Sequence, residues 1–135
     1  MADLLAGRTV LVIEDEPLLR EAMARAFRKS NATVLVAADG AEGLRRFNGA
    51  SPDLVVTDII MPEREGIETL MSMKAARPSV PVLAISGGGQ TPAGEFLALA
   101  ASLGADGVLA KPFRAQELTD AAQALFMKAD ADGRV

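Results

Sequence analysis

The chain contains no His, Cys, Trp or Tyr, so any chemistry must come from carboxylates, hydroxyls, Lys, Arg and the backbone. That excludes Cys/His zinc sites, disulfides, thiol nucleophiles, His-containing triads and histidine phosphocarriers. Among the groups that remain, four stretches stand out: Glu14-Asp15-Glu16, Asp58, Ser86 and Lys111. Gathered in one place, three carboxylates would repel one another and hold a proton unless a cation joined them. Taken singly, each has a plainer meaning as a helix cap, a Ser-Gly turn or a solvated charge. Their weight depends on whether the fold brings them together.

Five short runs rich in β-branched residues deliver them: Thr9 to Ile13, Thr33 to Ala37, Leu54 to Thr57, Val80 to Ile85 and Gly107 to Ala110. Several are continuously apolar, as parallel strands covered on both faces must be. Helical patterns alternate with them. Leu19, Met23, Ala26 and Phe27 form one stripe, Phe96, Leu99, Ala100 and Leu103 a second, and Leu118, Ala121, Ala122 and Leu125 a third. Helix starts are marked by Pro17, by Asp39 with Glu42 three residues on, and by Thr91-Pro92; ends fall near Asn31, Gly49, Pro78 and Gly104. Five right-handed β–α units predict an open parallel sheet between two helix layers. In such sheets the functional crevice lies outside the carboxyl ends of the strands. The first strand ends at Glu14, the third at Asp58, the fourth at Ser86 and the fifth at Lys111, while the second, leading into Asp39, adds nothing.

With 135 residues, half of them hydrophobic, the chain suits one domain, predicted over residues 8–127 with loose tails at 1–7 and 128–135. Lys and Arg number 14 against 18 acidic residues, which argues against a grip on nucleic acid, because phosphate neutralisation needs clustered cations. No apolar stretch approaches the ~20 residues of a membrane span and no basic leader is visible, so no membrane insertion and a cytoplasmic location are expected.

At these residues the sequence resembles the receiver domain of two-component response regulators, the single-domain kind related to the chemotaxis receiver. The anchors are Val10-Leu-Val-Ile-Glu14-Asp15-Glu16, Asp58-Ile-Ile-Met61-Pro62 with Gly66 beyond, Ser86-Gly, and Lys111-Pro112-Phe113. The resemblance implies a flavodoxin-like three-layer fold with strand order 2-1-3-4-5. It implies that Asp58 is the phosphoacceptor, that Glu14 and Asp15 help hold a divalent ion, that the Ser86 hydroxyl contacts the phosphoryl group and that Lys111 pairs with one of its oxygens. It further implies a cis peptide before Pro112. Mg2+ suits such a site as a hard ion that takes oxygen ligands and binds phosphate, with Mn2+ as a substitute. Asp58 needs no general base, since an ionised carboxylate has no proton to lose.

The expected function is therefore a signalling phosphoacceptor rather than an enzyme with a separate substrate. It would take a phosphoryl group from a histidine kinase or histidine phosphotransfer protein and change its affinity for a downstream protein. With no second domain after residue 127, it would act through protein contacts at the start of the first helix and on the face formed by the last strand and last two helices. Two alternatives stand beside this: a receiver-like binding module independent of phosphorylation, and a small Mg-dependent phosphatase with an Asp nucleophile. The latter generally needs a carboxylate two residues beyond the nucleophile, where this chain has Ile60.

Two departures from the receiver pattern bear on switching. The position three before the lysine, commonly an aromatic that swings inward, is Val108, which has no ring to move. The loop Ser86-Gly87-Gly88-Gly89-Gln90-Thr91-Pro92 carries three glycines, which lower the cost of unusual backbone angles. Phosphorylation is expected to order this loop around the phosphoryl oxygens. Amide exchange over residues 86–92 should then slow when a beryllofluoride mimic is added; unchanged exchange would rule the idea out.

Overall fold

The β-branched runs do form strands, and their two-sided apolar character comes from cover on both faces. A computed structural model describes residues 4–58, 65–86, 102 and 104–131. In chain order the elements are β1 (Thr9–Ile13), α1 (Pro17–Lys29), β2 (Thr33–Ala37), α2 (Gly40–Ala50), β3 (Leu54–Asp58), α3 (Glu65–Ala76), β4 (Val82–Ser86), β5 (Gly107–Ala110) and α4 (Ala115–Ala131). The strands pair in parallel in the order β2-β1-β3-β4-β5, the flavodoxin-like arrangement. The helix expected after the fourth strand, on Phe96, Leu99, Ala100 and Leu103, falls outside the described residues.

Alternate residues of each strand feed two separate cores, as the pleat requires. On one side Val10, Val12, Val56, Leu83 and Ile85 pack with Met23 and Phe27 of α1 and Leu118, Ala122 and Phe126 of α4. On the other, Leu11, Ile13, Val55 and Ala84 meet Phe47 of α2 and Leu70 and Met73 of α3. Both clusters are essentially sealed from water, so burial at about 25 cal/mol per Å2 drives the three layers together.

Local chemistry sets the helix ends. Pro17 opens α1, and the Glu16 carboxylate accepts from the amides of Leu18 and Leu19. Asp39 caps α2 by accepting from Glu42 N at 2.8 Å, while Glu42 Oε1 reaches back to the amide of Ala38, just before the cap. Ser51, at φ 50°, terminates α2 in the left-handed region after Ala50, one residue past the expected stop at Gly49.

Three further expected boundaries move. Strand β4 starts at Val82 rather than Val80, because Pro81 offers no N–H and the Val80 carbonyl is taken by Lys74 Nζ at 3.1 Å. The expected N-terminal tail is too long, since Leu5 is fully buried in the core of α1 and α4 and Gly7 N donates to Asn31 O at 3.0 Å. So short an apolar stretch ahead of the first strand carries no periodic pattern to mark it as packed. At the other end α4 continues to Ala131, past the boundary expected at residue 127, and Arg8 stacks on the Phe126 ring at 4.0 Å. No helix among the described residues is long and apolar enough to cross a membrane.

Gly43 leaves no room for a side chain. A Cβ there would lie 2.5 Å from Ile13 Cδ1 and 2.9 Å from Ile13 Cγ1, and Ile13 is itself fully buried. Gly43→Ala gains about 1 kcal/mol of helix propensity but overpacks the core at a cost of about 1–3 kcal/mol. The expected net outcome is a loss of about 1 kcal/mol, read as a lower urea midpoint at unchanged slope. A midpoint at or above that of the parent would show that Ile13 can move aside.

Candidate functional site

Strand register assembles the site. Ile13 lies opposite Thr57, so the next residues, Glu14 and Asp58, come level at neighbouring strand ends. Ala110 lies opposite Ser86, which brings Lys111 to the same edge. One carboxylate oxygen from each of Glu14, Asp15 and Asp58 lies within 4.8 Å of the others. The three acids expected from the sequence are thus together, although Asp15 is exposed while Glu14 and Asp58 are buried. Glu16, the third acid of the run, turns away to cap α1.

Glu14 is held on every side. Its amide donates to Ala37 O of β2 at 3.0 Å, its carbonyl accepts from Arg20 Nη1 at 2.9 Å, and its Oε2 accepts from the amide of Glu16 at 3.1 Å. Oε1 lies 3.0 Å from Lys111 Nζ. The ammonium donates to Asp58 Oδ2, 2.8 Å away, while Glu14 Oε1 is a buried oxygen in charge contact without a well-aligned hydrogen bond. Thr57 Oγ1 donates to the Asp58 carbonyl at 3.3 Å. The Lys111–Pro112 peptide is cis.

Burial pushes the Glu14 carboxyl above its ordinary 4.5, and the neighbouring Asp15 carboxyl adds to the effect. The Glu16 amide and Lys111 hold it back only in part. Burial pulls Lys111 down, but the carboxylates of Asp58 and Glu14 outweigh it and leave the ammonium above its ordinary 10.5. Three carboxylates against one ammonium leave an excess of two negative charges. An unbonded buried oxygen among hard oxygen donors fits a hard divalent cation.

Ser86 ends β4 as expected; its side chain lies outside the described residues, as do Gly87 and Gly88. Val108 sits in β5 opposite Ala84, partly buried against the core of α2 and α3. Reasoning from residue types missed Arg20. On the sequence it is one arginine among several on α1, and only its position six residues after Glu14, within reach back over the first helical turn, hinted at a bond to that carbonyl.

The sequence model of the response regulator receiver domain matches residues 10–123. This chain belongs to that family. As a receiver it is 35% identical over 114 residues to Regulator of RpoS of Escherichia coli K12, a match covering 84% of this chain and 33% of that protein. It is 30% identical over 120 residues to the probable transcriptional regulatory protein TcrX of Mycobacterium tuberculosis, covering 89% of this chain and 50% of that one. The receiver therefore spans about a third to a half of the length of these relatives. Among solved structures, a receiver domain from Clostridium thermocellum superposes with a TM-score of 0.79 at 31% identity, covering 92% of this chain and 98% of that one. A CheY-like receiver from Methanospirillum hungatei reaches 0.83 at 20% identity, with 94% and 99% covered, and shares the fold.

The pKa directions give the receiver a pH signature. Glu14 holds a proton more readily folded than unfolded, so stability falls as pH rises from 4.5 through its raised folded value. Lys111 acts in the opposite range: its pairing stabilises the fold below 10.5 and is lost as pH rises through its higher folded value. In metal-free solution at pH 7, Glu14→Gln should raise the urea midpoint, because it removes a buried charge while Lys111 keeps Asp58. The gain should vanish near pH 4, where both side chains are neutral. A variant less stable than the parent at pH 7 would contradict this.

Proposed function

We propose that this receiver takes a phosphoryl group from a partner phosphohistidine onto Asp58 and thereby switches its affinity for another protein. The observation that carries the reading is Lys111 Nζ bound at 2.8 Å to Asp58 Oδ2 and 3.0 Å from Glu14 Oε1, within a cluster of three carboxylates. Glu14, Asp15 and Asp58 would hold Mg2+, or Mn2+ in its place, which when bound supplies positive charge against phosphoryl oxygens.

An Asp58 carboxylate oxygen attacks phosphorus, the bond from phosphorus to the donor histidine nitrogen breaks, and the electron pair leaves with the imidazole. Asp58 gives up no proton. Its charge is instead transferred outward to the phosphoryl oxygens, and Lys111, already hydrogen-bonded to Asp58, can follow that charge with a small displacement. The Ser86 hydroxyl would donate to a second phosphoryl oxygen. The donor histidine lies outside these 135 residues, on a histidine kinase or phosphotransfer protein, because they contain none. Leu18, 80% exposed at the start of α1, offers that partner an apolar contact close to the site.

Val108, partly buried in β5, favours one second reading, a binding module that keeps the fold without the switch, since a valine cannot swing inward as a ring does. A phosphatase would need a carboxylate where Ile60 stands.

Incubation with Mg2+ and acetyl phosphate, followed by intact mass measurement, separates these readings. The receiver should gain one phosphoryl group only when Mg2+ is present, keep it well beyond seconds, and lose the reaction in Asp58→Ala. Lys111→Ala should slow it about 100-fold, the cost of removing one donor to a developing oxyanion. No modification in the parent would support the module, and steady turnover of added phosphoesters would support the phosphatase.

A further inference from the structure

Arg20 lies one turn into α1 and is half-buried. Its amide continues the helix by donating to Glu16 O at 2.9 Å, while its guanidinium turns back over that first turn to the Glu14 carbonyl, also at 2.9 Å. The Glu14 amide is already tied to Ala37 of β2, and the next residue but one, Glu16, is fixed as the cap of α1. The peptide joining Glu14 to Asp15 lies between these two anchors, and Arg20 holds its oxygen. The orientation of that peptide sets where both carboxylates leave the backbone.

Charge alone would argue against an arginine here, because a fixed cation repels an incoming divalent one. We propose that Arg20 is a positioning residue, which holds the Glu14–Asp15 peptide so that both carboxylates stay gathered with Asp58 for a divalent cation. The inference rests on the receiver reading of that cluster. Supporting groups of this kind typically change metal affinity about 10–100-fold when removed.

The test is Mg2+ titration of the full chain followed by NMR, on the parent, Arg20→Ala and Arg20→Lys, with thermal melts to confirm folding and amide exchange over residues 14–16. Arg20→Ala should bind Mg2+ about tenfold more weakly, with faster exchange at Asp15 and Glu16 and unchanged exchange in the sheet. Arg20→Lys keeps the charge and a single donor but loses the planar fork, and should fall between the two. Equal or tighter binding by Arg20→Ala, or Arg20→Lys no better than Arg20→Ala, would overturn the positioning role. A parent that binds no Mg2+ at millimolar concentration would overturn the proposed metal-dependent phosphoacceptor function itself, and does so before any variant is compared.

Discussion

One ammonium ties the site end of the sheet together. Lys111 follows β5, yet its charge sits between Asp58 of β3 and Glu14 of β1, so strands distant in sequence are joined where their carbonyl ends converge. Without it, two buried carboxylates would face each other without the ammonium that pairs with both, and burying an unpaired charge is far costlier than burying a pair. The arrangement is still unbalanced, because burial holds Glu14 above its ordinary range even with Lys111 beside it. Such residual frustration is usual where a fold keeps groups for chemistry rather than for stability.

The opposite end of the sheet has a comparable cluster with a different purpose. Lys74 of α3 donates to the carbonyls of Pro78 and Val80 and to Asp106 Oδ2 at 2.9 Å, and Asp106 in turn accepts from the amide of Val82 at 2.8 Å. Here one lysine meets one carboxylate, both are hydrogen-bonded, and the effect is to fasten the entries of β4 and β5 to the end of α3. Arg77 adds a second fastening by stacking on the Phe47 ring and donating to the Phe47 carbonyl. The balanced cluster supports the scaffold, and the unbalanced one sits where a ligand would complete it.

Much of this was legible before the structure. The strands could be read because parallel strands covered on both faces leave unbroken apolar runs, and Asp58 and Lys111 could be read because a charged residue directly after such a run has few other places to go. The acidic run was less decidable: Glu14 and Glu16 are the same residue type two positions apart, and only backbone geometry sends one into the site and the other to the amides of Leu18 and Leu19. Arg20 was illegible because its partner is a carbonyl, which every residue has. Leu5 was missed because a single turn carries no period to detect.

The contact between Arg8 and Phe126 lies outside the stretch shared with the family, residues 10–123. Leu5 and Phe126 fill the same core, so the first and last described segments close over one another. A domain whose first and last segments meet in this way tolerates having those segments joined and the backbone opened elsewhere. For this receiver, a circular permutant would retain the core only if it carried Leu5 and Phe126 along; one trimmed to the shared stretch would open a cavity beneath α1 and α4.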